Sequence, residues 1–281
     1  MRRETFEIEG RRKLYMYTFG PNDSEAAARQ RRFWNSVGTA WRDRSDVIEQ
    51  WVEPVTRAMN ERLGEHRRLA LDVGCGSRSM ALPPGWRVFG VDPSGEMLTG
   101  DRSVQGDPQV LPFQIASFDA CVSRFALMLD AKPVAAFREV FKLLRLGGTF
   151  TMAVWDTEDA NPWIRIAETI LVRELGIRKP EKNEPSAYRL ANPGEVSELL
   201  TQAGLRVLSQ DRVNVTYFSH RKAEELFEFL IDFVGPIRMM FLKLPTESRQ
   251  EVQNEILREL EKSTRNGSAW VHHAIREAKV Q

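Results

Sequence analysis

The chain has 281 residues, of which 42% are hydrophobic and 28% are charged, a composition typical of a globular protein with one large domain and additions to it. Its 40 Lys and Arg residues nearly balance 39 Asp and Glu residues, for a formal net charge of +1. This balance argues against nucleic acid and the membrane surface as partners, and no apolar run approaches the ~20 residues that a membrane helix needs.

Cysteine and histidine are sparse. The two cysteines, Cys75 and Cys121, do not make a disulfide framework, so a reducing compartment is expected. None of the four histidines has a cysteine or acidic partner at the spacing of a metal site, so no metal is predicted. Because residues 1–20 are charged throughout and lack a secretory signal pattern, we expect a cytoplasmic protein.

The amino-terminal part of the chain is predicted to form a hairpin followed by helices. Thr5–Phe19 alternates around Gly10, which predicts a β-hairpin extension over residues 1–24. Residues 25–66 are predicted to be mostly helical. Since a two-stranded unit is marginal alone, the hairpin is expected to pack on its own domain, on a second copy in a homodimer or on a partner protein.

The middle of the chain alternates short apolar strands with glycine turns and a helix. Strands are predicted at 69–73, 87–91, 103–105, 118–122 and 148–155, and an amphipathic helix at 132–144. Strands separated by helices and glycine turns predict an α/β fold with a doubly wound, mostly parallel, Rossmann-like sheet in a domain over residues 67–281.

The remaining elements follow in the same domain. Four further helices and two strands are predicted there: helices at 161–175, 193–203, 223–234 and 246–263, and strands at 205–210 and 213–218. The helix at 246–263 is supported by apolar residues that recur four positions apart.

The segment Leu69–Ser94 carries the strongest functional signal. It is predicted to form a strand, a glycine turn, a short helix and a second strand that ends in Asp92. Gly74 and Gly76 allow a positive φ or a close approach of the backbone to a ligand, and a carboxylate at the end of the second strand can accept hydrogen bonds from two ribose hydroxyls. The segment therefore predicts a nucleoside cofactor. An NAD site is disfavoured, because Ser79 stands where its pattern needs a third glycine or alanine.

Six blocks in order then resemble one family: LDVGCG (71–76), VFGVDPSGEML (88–98), GDPQVLPF (106–113), SFDACVSRFALMLD (117–130), REVFKLLRLGGTF (138–150) and AVWDTEDANPW (153–163). This set resembles the class I S-adenosylmethionine-dependent methyltransferases, in their ubiquinone/menaquinone-biosynthesis-like branch of small-molecule enzymes. The resemblance extends from about residue 33 to the end of the chain. It implies S-adenosyl-L-methionine as the cofactor and a small molecule as the methyl acceptor.

The resemblance also implies roles for individual positions. The turn at Gly74, Cys75 and Gly76 would pass beside the methionine part of the cofactor, with Asp72 orienting the turn and holding the amino end. Further contacts are implied with the ribose and adenine (Asp92, Pro93, Ser94, Met97, Gly106, Asp107, with Val110 as a further candidate) and with the sulfonium and the acceptor (Ser123, Arg124, Phe125). The amino-terminal helices and residues 157–190 would form the lid and the cap over the substrate.

The pattern identifies no catalytic base, since methyl transfer can proceed largely by alignment of the acceptor with the methyl group. Four residues are possible bases, although a structural role is favoured for each: Asp130, Asp156, Tyr188 and His220. Trp155 and Trp163 could form the wall of a site for an aromatic or prenylated acceptor, or could simply pack in the core.

Two departures from the family pattern leave an alternative open. Arg78 stands where the family usually has a third glycine, and the helices after Gly76 and Met97 look shortened, the first because Pro83 and Pro84 follow closely. The main expectation is methyl transfer to carbon, oxygen or nitrogen of a small molecule. The alternative is a noncatalytic methyltransferase-fold protein that binds or scaffolds a partner. RNA methylation is disfavoured by the neutral charge.

Overall fold

The computed structural model describes most of the chain. Its described residues are 2–8, 12–18, 25–63, 68–100, 102–216, 222–263 and 266–277. Within them, no helix is long and apolar enough to cross a membrane.

The chain starts with the predicted hairpin. Strands β1 (Arg2–Ile8) and β2 (Arg12–Thr18) pair antiparallel in a two-stranded sheet of their own. The register places Phe6 opposite Leu14, as the alternation around Gly10 predicts; Gly10 itself lies outside the described residues. The role of the hairpin in assembly stays a prediction, as do the boundaries between the hairpin, the lid and the main domain.

Three helices follow: α1 (Glu25–Asn35), α2 (Gly38–Asp43) and α3 (Ser45–Asn60). In α3 the buried residues Ile48, Val52, Val55 and Met59 recur at helical spacing and form one apolar face. This face packs against the central sheet, on its strands Leu144–Trp155, Arg206–Thr216 and Asn266–Ile275. The predicted lid is therefore partly core, since α3 covers the sheet while α1 and α2 lie beside the loops at its edge.

A sheet of seven strands forms the centre of the molecule, in the order β5-β4-β3-β6-β7-β9-β8. The strands are β3 (Leu69–Val73), β4 (Arg87–Asp92), β5 (Ser103–Gln105), β6 (Phe118–Arg124), β7 (Leu144–Trp155), β8 (Arg206–Thr216) and β9 (Asn266–Ile275). The five strands from β5 to β7 run parallel, and β9 is antiparallel to both of its neighbours. The predicted doubly wound, mostly parallel sheet is confirmed.

The topology places a crevice at one edge of this sheet. From β3 the chain moves outward to β4 and β5 and then returns to β6 on the other side of β3. In open α/β sheets, ligands bind at the carboxyl ends of the strands where the strand order reverses in this way. The end of β3, where the glycine turn begins, is thus at the expected ligand crevice.

The other helices are α4 (Pro133–Leu143), α5 (Pro162–Leu175), α6 (Pro193–Gln202), α7 (Ala223–Phe233), α8 (Gly235–Lys243) and α9 (Thr246–Lys262). Helix α5 packs on α8 and α9, α7 packs on α8 and α9, and α1 packs on α8. The sequence predicts all of these helices except α8. The cap over the crevice is therefore larger than the predicted insertion at 157–190, because α7 and α8 also contribute to it.

Two sequence predictions are wrong in detail. The strands predicted at 205–210 and 213–218 are one continuous strand, β8. The backbone of the intervening polar residues pairs with β9, and their side chains find polar partners. Asp211 accepts a hydrogen bond from Arg62, and Arg212 Nε donates one to Asp156 Oδ2 at 2.7 Å. Strand β9 itself was not predicted.

The short helix predicted after the glycine turn is also wrong. Residues 74–86, all of them described, form turns rather than a helix. Pro83 and Pro84 remove two backbone donors there, and the loop is held by side chains instead: Asp72 Oδ2 accepts from Met80 N at 2.7 Å, and Thr99 Oγ1 donates to the Ser77 carbonyl. Residues 93–100 after β4 likewise contain no helix.

Candidate functional site

The glycine turn after β3 is fixed by close backbone contacts. Gly74 has a φ of +79° and Gly76 a φ of +60°, which is the left-handed region that favours glycine. Gly74 N donates to the Val91 carbonyl at 2.7 Å. A Cβ atom on Gly74 would lie 2.1 Å from the Cβ of Ala126, so a side chain here cannot be accommodated without moving the loop after β6.

Asp92 ends β4 with both carboxylate oxygens in defined positions. Oδ2 accepts from Gly76 N at 3.0 Å and Oδ1 accepts from Ser94 N at 2.8 Å. Burial raises the pKa of Asp92 to about 6, and the two backbone N–H groups oppose this rise. A carboxylate offers about four lone pairs, so Asp92 is held in place by the protein and can still accept two hydroxyl groups.

Asp72, inside β3, is buried as deeply. Its hydrogen bond from Met80 N pins the loop that replaces the missing helix. Burial raises the pKa of Asp72 to about 6, while that hydrogen bond and the charge of Arg124 lower it. Asp72 therefore binds the far end of the loop that begins with the glycine turn, and its role in orienting the turn and holding the cofactor stays a prediction.

The loop after β5 brings Asp107 to the crevice, beside Asp130 from the segment after β6. Asp107 Oδ1 accepts from Gln109 N at 2.8 Å, and Gln109 Nε2 donates to Asp130 Oδ1 at 3.0 Å. Burial raises the pKa of Asp130. A Cβ on Gly106 would lie 2.7 Å from Val91 Cγ2, so this glycine lets the loop approach β4 and carries Asp107 toward Asp92.

The end of β6 presents a cation and a strained aromatic residue. The guanidinium of Arg124 binds both oxygens of Glu49 from α3, with Nη1 3.0 Å from Oε2, and also donates to Thr56. The next residue, Phe125, has a φ of +58°, which is costly for an aromatic side chain and is typical of functional sites. Its ring stacks on Trp155, with centroids 3.7 Å apart and planes 11° apart.

Phe125 is the first of five aromatic rings in consecutive contact, which we call the aromatic wall: Phe125, Trp155, Trp163, Trp51 and Phe229. Trp155 and Trp163 meet edge to face at 5.6 Å between centroids, Trp163 and Trp51 at 4.9 Å, and Trp51 and Phe229 at 4.0 Å. Edge-to-face packing is a favoured arrangement of aromatic side chains. The wall joins the loop after β6 and the end of β7 to helices α3, α5 and α7, so five separate parts of the chain form it.

One cavity of about 540 Å³ runs from the glycine turn to the aromatic wall, which is within the range of small-molecule sites. Most of the predicted site residues line it: Asp72, Gly74, Cys75, Gly76, Asp92, Pro93, Met97, Asp107, Arg124 and Phe125. Three do not: Ser94, Gly106 and Ser123. Ser94 Oγ donates to Asn35 Oδ1, and Ser123 Oγ donates to the Val73 carbonyl, so these residues support the loops. Val110 is exposed and also lies off the cavity.

Helix α2 covers the glycine turn directly. Ser77 Oγ donates to the Trp41 carbonyl at 2.7 Å, and a Cβ on Gly76 would meet the Trp41 ring at 3.5 Å. Trp41 Nε1 donates to the Phe233 carbonyl at 2.9 Å. Trp41 therefore links the turn to the cap, a contact that no sequence motif indicated.

Arg78, which departs from the family pattern, points away from the turn. Its Nη1 lies 3.0 Å from Asp46 Oδ1 of α3, and the side chains of Arg78 and Asp46 are 58% and 83% exposed. The cationic side chain thus reaches outward to α3, while Arg78 also lies on the rim of the cavity.

The candidate bases differ in whether they line the cavity. Asp156 is engaged by Ser268 Oγ at 2.8 Å and by Arg212, and the Tyr188 hydroxyl donates to the Asn161 carbonyl at 3.3 Å. Neither residue lines the cavity, whereas Asp130 does. His220 lies outside the described residues. Sequence reasoning missed Glu49 and Glu168, two carboxylates from α3 and α5 that line the cavity.

Comparisons with known proteins agree with this geometry. The family model for a methyltransferase domain matches residues 71–152. A demethylmenaquinone methyltransferase of Roseiflexus castenholzii is 37% identical over 169 residues, 48% of this chain and 66% of that protein. A 37.1 kDa protein in transposon TN4556 of Streptomyces fradiae is 30% identical over 131 residues, 40% of this chain and 37% of that protein. The chain thus spans less than two thirds of the length of each of these relatives.

Among solved structures, the fold resembles a chain in the complex between the Haloferax volcanii Trm112 methyltransferase activator and a methyltransferase. The TM-score is 0.54 at 21% identity, covering 88% of this chain and 99% of that one. At this identity the likeness concerns the fold. The chain thus carries a methyltransferase domain at residues 71–152 on a Rossmann-like methyltransferase fold, and it is similar to class I S-adenosylmethionine-dependent methyltransferases of the quinone-biosynthesis-like type.

Proposed function

We propose that the protein transfers the methyl group of S-adenosylmethionine to a small organic acceptor that lies against the aromatic wall. The observation that carries the proposal is a continuous cavity, which joins the glycine turn and Asp92 at one end to the wall at the other. A cofactor and an acceptor can therefore meet inside it, out of bulk water.

The residues present fit the cofactor. The backbone of Gly74 and Gly76, in the left-handed region, lines the cavity, and Asp92 is oriented by two backbone N–H groups with capacity to accept ribose hydroxyls. Asp107 lies on the same cavity and would accept from the adenine amino group. When bound, S-adenosylmethionine supplies a methyl group activated by a sulfonium, with S-adenosylhomocysteine as the leaving group.

The chain's own contribution is to hold the cofactor and the acceptor and to orient them toward each other. Arg124 and Phe125 lie between the cofactor end of the cavity and the aromatic wall, and the strained backbone at Phe125 fixes the ring against Trp155. The apolar wall excludes water and presents flat surfaces to the acceptor. Because alignment alone can supply much of the rate of such a transfer, no general base is required by the proposal.

The first test is calorimetric titration of the protein with S-adenosylhomocysteine and S-adenosylmethionine. We expect both to bind, and Asp92→Asn to weaken binding by about tenfold or more, since the amide lacks the charge that ribose hydroxyls favour. Asp232→Asn is the matched control, because Asp232 pairs with Arg44 outside the cavity. Failure of the folded wild-type protein to bind either compound would contradict the proposal.

One observation favours a second candidate, a noncatalytic binding or scaffolding protein. The helices that would frame the cofactor are absent after β3 and β4, and a second hollow of about 260 Å³ opens there beside Cys75, Arg78 and Thr99. A protein that had lost turnover through this opening would fold normally but would not bind S-adenosylhomocysteine. The same titration, with circular dichroism as the measure of folding, therefore distinguishes the two candidates.

A further inference from the structure

Helix α5 turns one ionisable side chain toward the cavity. Ile164, Glu168 and Val172 are spaced four residues apart, lie on one face of the helix and line the cavity. Trp163 of the aromatic wall begins the same helix. Glu168 is half-buried and is the polar member of an otherwise apolar strip, so its position requires an explanation beyond packing.

The charges around Glu168 leave it uncompensated. Within the described ranges, no side chain or backbone group forms a hydrogen bond or an ion pair with Glu168. Lys179 acts on it through space, but Lys179 Nζ is bound to Glu158 Oε2 at 3.2 Å. Glu158, Lys179 and Glu168 together therefore carry one excess negative charge beside the cavity.

Two of the other cations that line the cavity are engaged by carboxylates other than Glu168. Arg124 is held by Glu49, and Arg178 is held by both oxygens of Glu184. Burial raises the pKa of Glu168, and Glu158 adds to this rise while Lys179 opposes it. A carboxylate in such surroundings is stabilised by a ligand that brings a positive charge and N–H donors.

The aromatic wall favours the same kind of ligand. The faces of Trp and Phe rings attract cations through their π electrons, most strongly where water is excluded. A flat apolar body would pack on the wall, while an ammonium group on that body would bind Glu168, which lies on the same helix as Trp163 and lines the same cavity. A neutral aromatic molecule would gain the packing alone.

We propose that Glu168 selects the methyl acceptor by binding a protonated amine on it, so that the acceptor is a small cationic amine with an aromatic or apolar body. This inference rests on the proposed function, since it assigns the acceptor of that same cavity. Glu168 acts here as a specificity-determining residue that contacts the substrate.

The test compares two probes of nearly equal shape, benzylamine (a cation at neutral pH) and benzyl alcohol, in the presence of saturating S-adenosylhomocysteine. Binding is followed by quenching of tryptophan fluorescence, because Trp51, Trp155 and Trp163 lie in the wall. We expect benzylamine to bind about tenfold more tightly than benzyl alcohol, and Glu168→Gln to remove this preference while leaving the alcohol within about twofold. Glu174→Gln is the matched control on the same helix, since Glu174 pairs with Arg173 outside the cavity.

Each outcome decides between the two proposals. If S-adenosylhomocysteine binds but benzylamine is not preferred over benzyl alcohol, the inference is overturned while the proposed function stands. The inference is equally overturned if Glu168→Gln weakens both probes alike or if Glu174→Gln has the same effect. If S-adenosylhomocysteine itself does not bind, the proposed function fails first. A benzylamine preference that depends on Glu168 alone supports the inference.

Discussion

Arg124, at the carboxyl end of β6, and Glu49, in the middle of α3, form a two-pronged ion pair inside the cavity. Nη1 lies 3.0 Å from Oε2, Nη2 binds Oε1, and the two side chains are only 11% and 24% exposed. This pair ties an amino-terminal helix to the sheet between the glycine turn and the aromatic wall. The helix is thereby fixed to the strand whose end lines the cavity.

Removing Glu49 should therefore cost stability. In Glu49→Gln the guanidinium of Arg124 keeps its buried position but loses its countercharge, and breaking a buried ion pair from one side is destabilising. We expect the free energy of unfolding, measured by urea denaturation, to fall by about 2 kcal/mol. Glu53→Gln on the same helix removes an exposed pair with Arg57 and should change it by less than about 0.5 kcal/mol. Equal effects of the two substitutions would show that the Arg124 pair has no special role.

The buried acid Asp72 should make stability depend on pH in an unusual direction. Its pKa of about 6 lies above the ordinary value of 3.8, so between these values the folded protein holds a proton that the unfolded chain lacks. Stability from this group is present at low pH and is lost as the pH rises through about 6. At neutral pH the ionised, buried Asp72 therefore opposes folding.

The substitution Asp72→Asn exposes this effect, because an amide oxygen can still accept from Met80 N without carrying charge. Relative to wild type, the variant should gain stability as the pH rises from about 4 to about 7, by about 2 kcal/mol. Urea unfolding of both proteins across this range measures the difference directly. A difference that stays constant with pH would mean that Asp72 is not desolvated as the structure indicates.

Local patterns in the sequence explain why much of the fold and the cofactor loops could be predicted. The strand at Leu69–Val73 is a short apolar run followed at once by Gly74 and Gly76, and such signals need only neighbouring residues. Glu49, Glu168 and Trp41 could not be found in this way, because each reaches the site from a different helix through tertiary packing. Helix α8 and strand β9 were missed for a related reason. His272 and His273 of β9 look polar in sequence, yet His272 is fully buried and bound to Gln210.

Substitutions in the glycine turn directly test the proposed cofactor site. Gly74 and Gly100 have almost the same backbone angle, with φ of +79° and +82°, but a Cβ would meet Ala126 at 2.1 Å in the first case and open space in the second. Gly100→Ala should lose about 1 kcal/mol of unfolding free energy from backbone strain alone. Gly74→Ala should lose more and should also abolish S-adenosylhomocysteine binding. Equal losses with binding intact in both variants would show that Gly74 is not a contact to the cofactor.

Arg78 provides the last prediction, because it stands where the family usually has glycine. Its side chain reaches outward to Asp46, and both are largely exposed, so the ion pair should contribute little to stability. We therefore expect Arg78→Ala to change the unfolding free energy by less than about 0.5 kcal/mol and the affinity for S-adenosylhomocysteine by less than about threefold. Arg78→Gly should behave in the same way apart from a small entropic loss, since glycine adds freedom to the unfolded chain. A large gain in affinity for S-adenosylhomocysteine in both variants would contradict this prediction, because it would mean that the arginine competes with the cofactor for the turn.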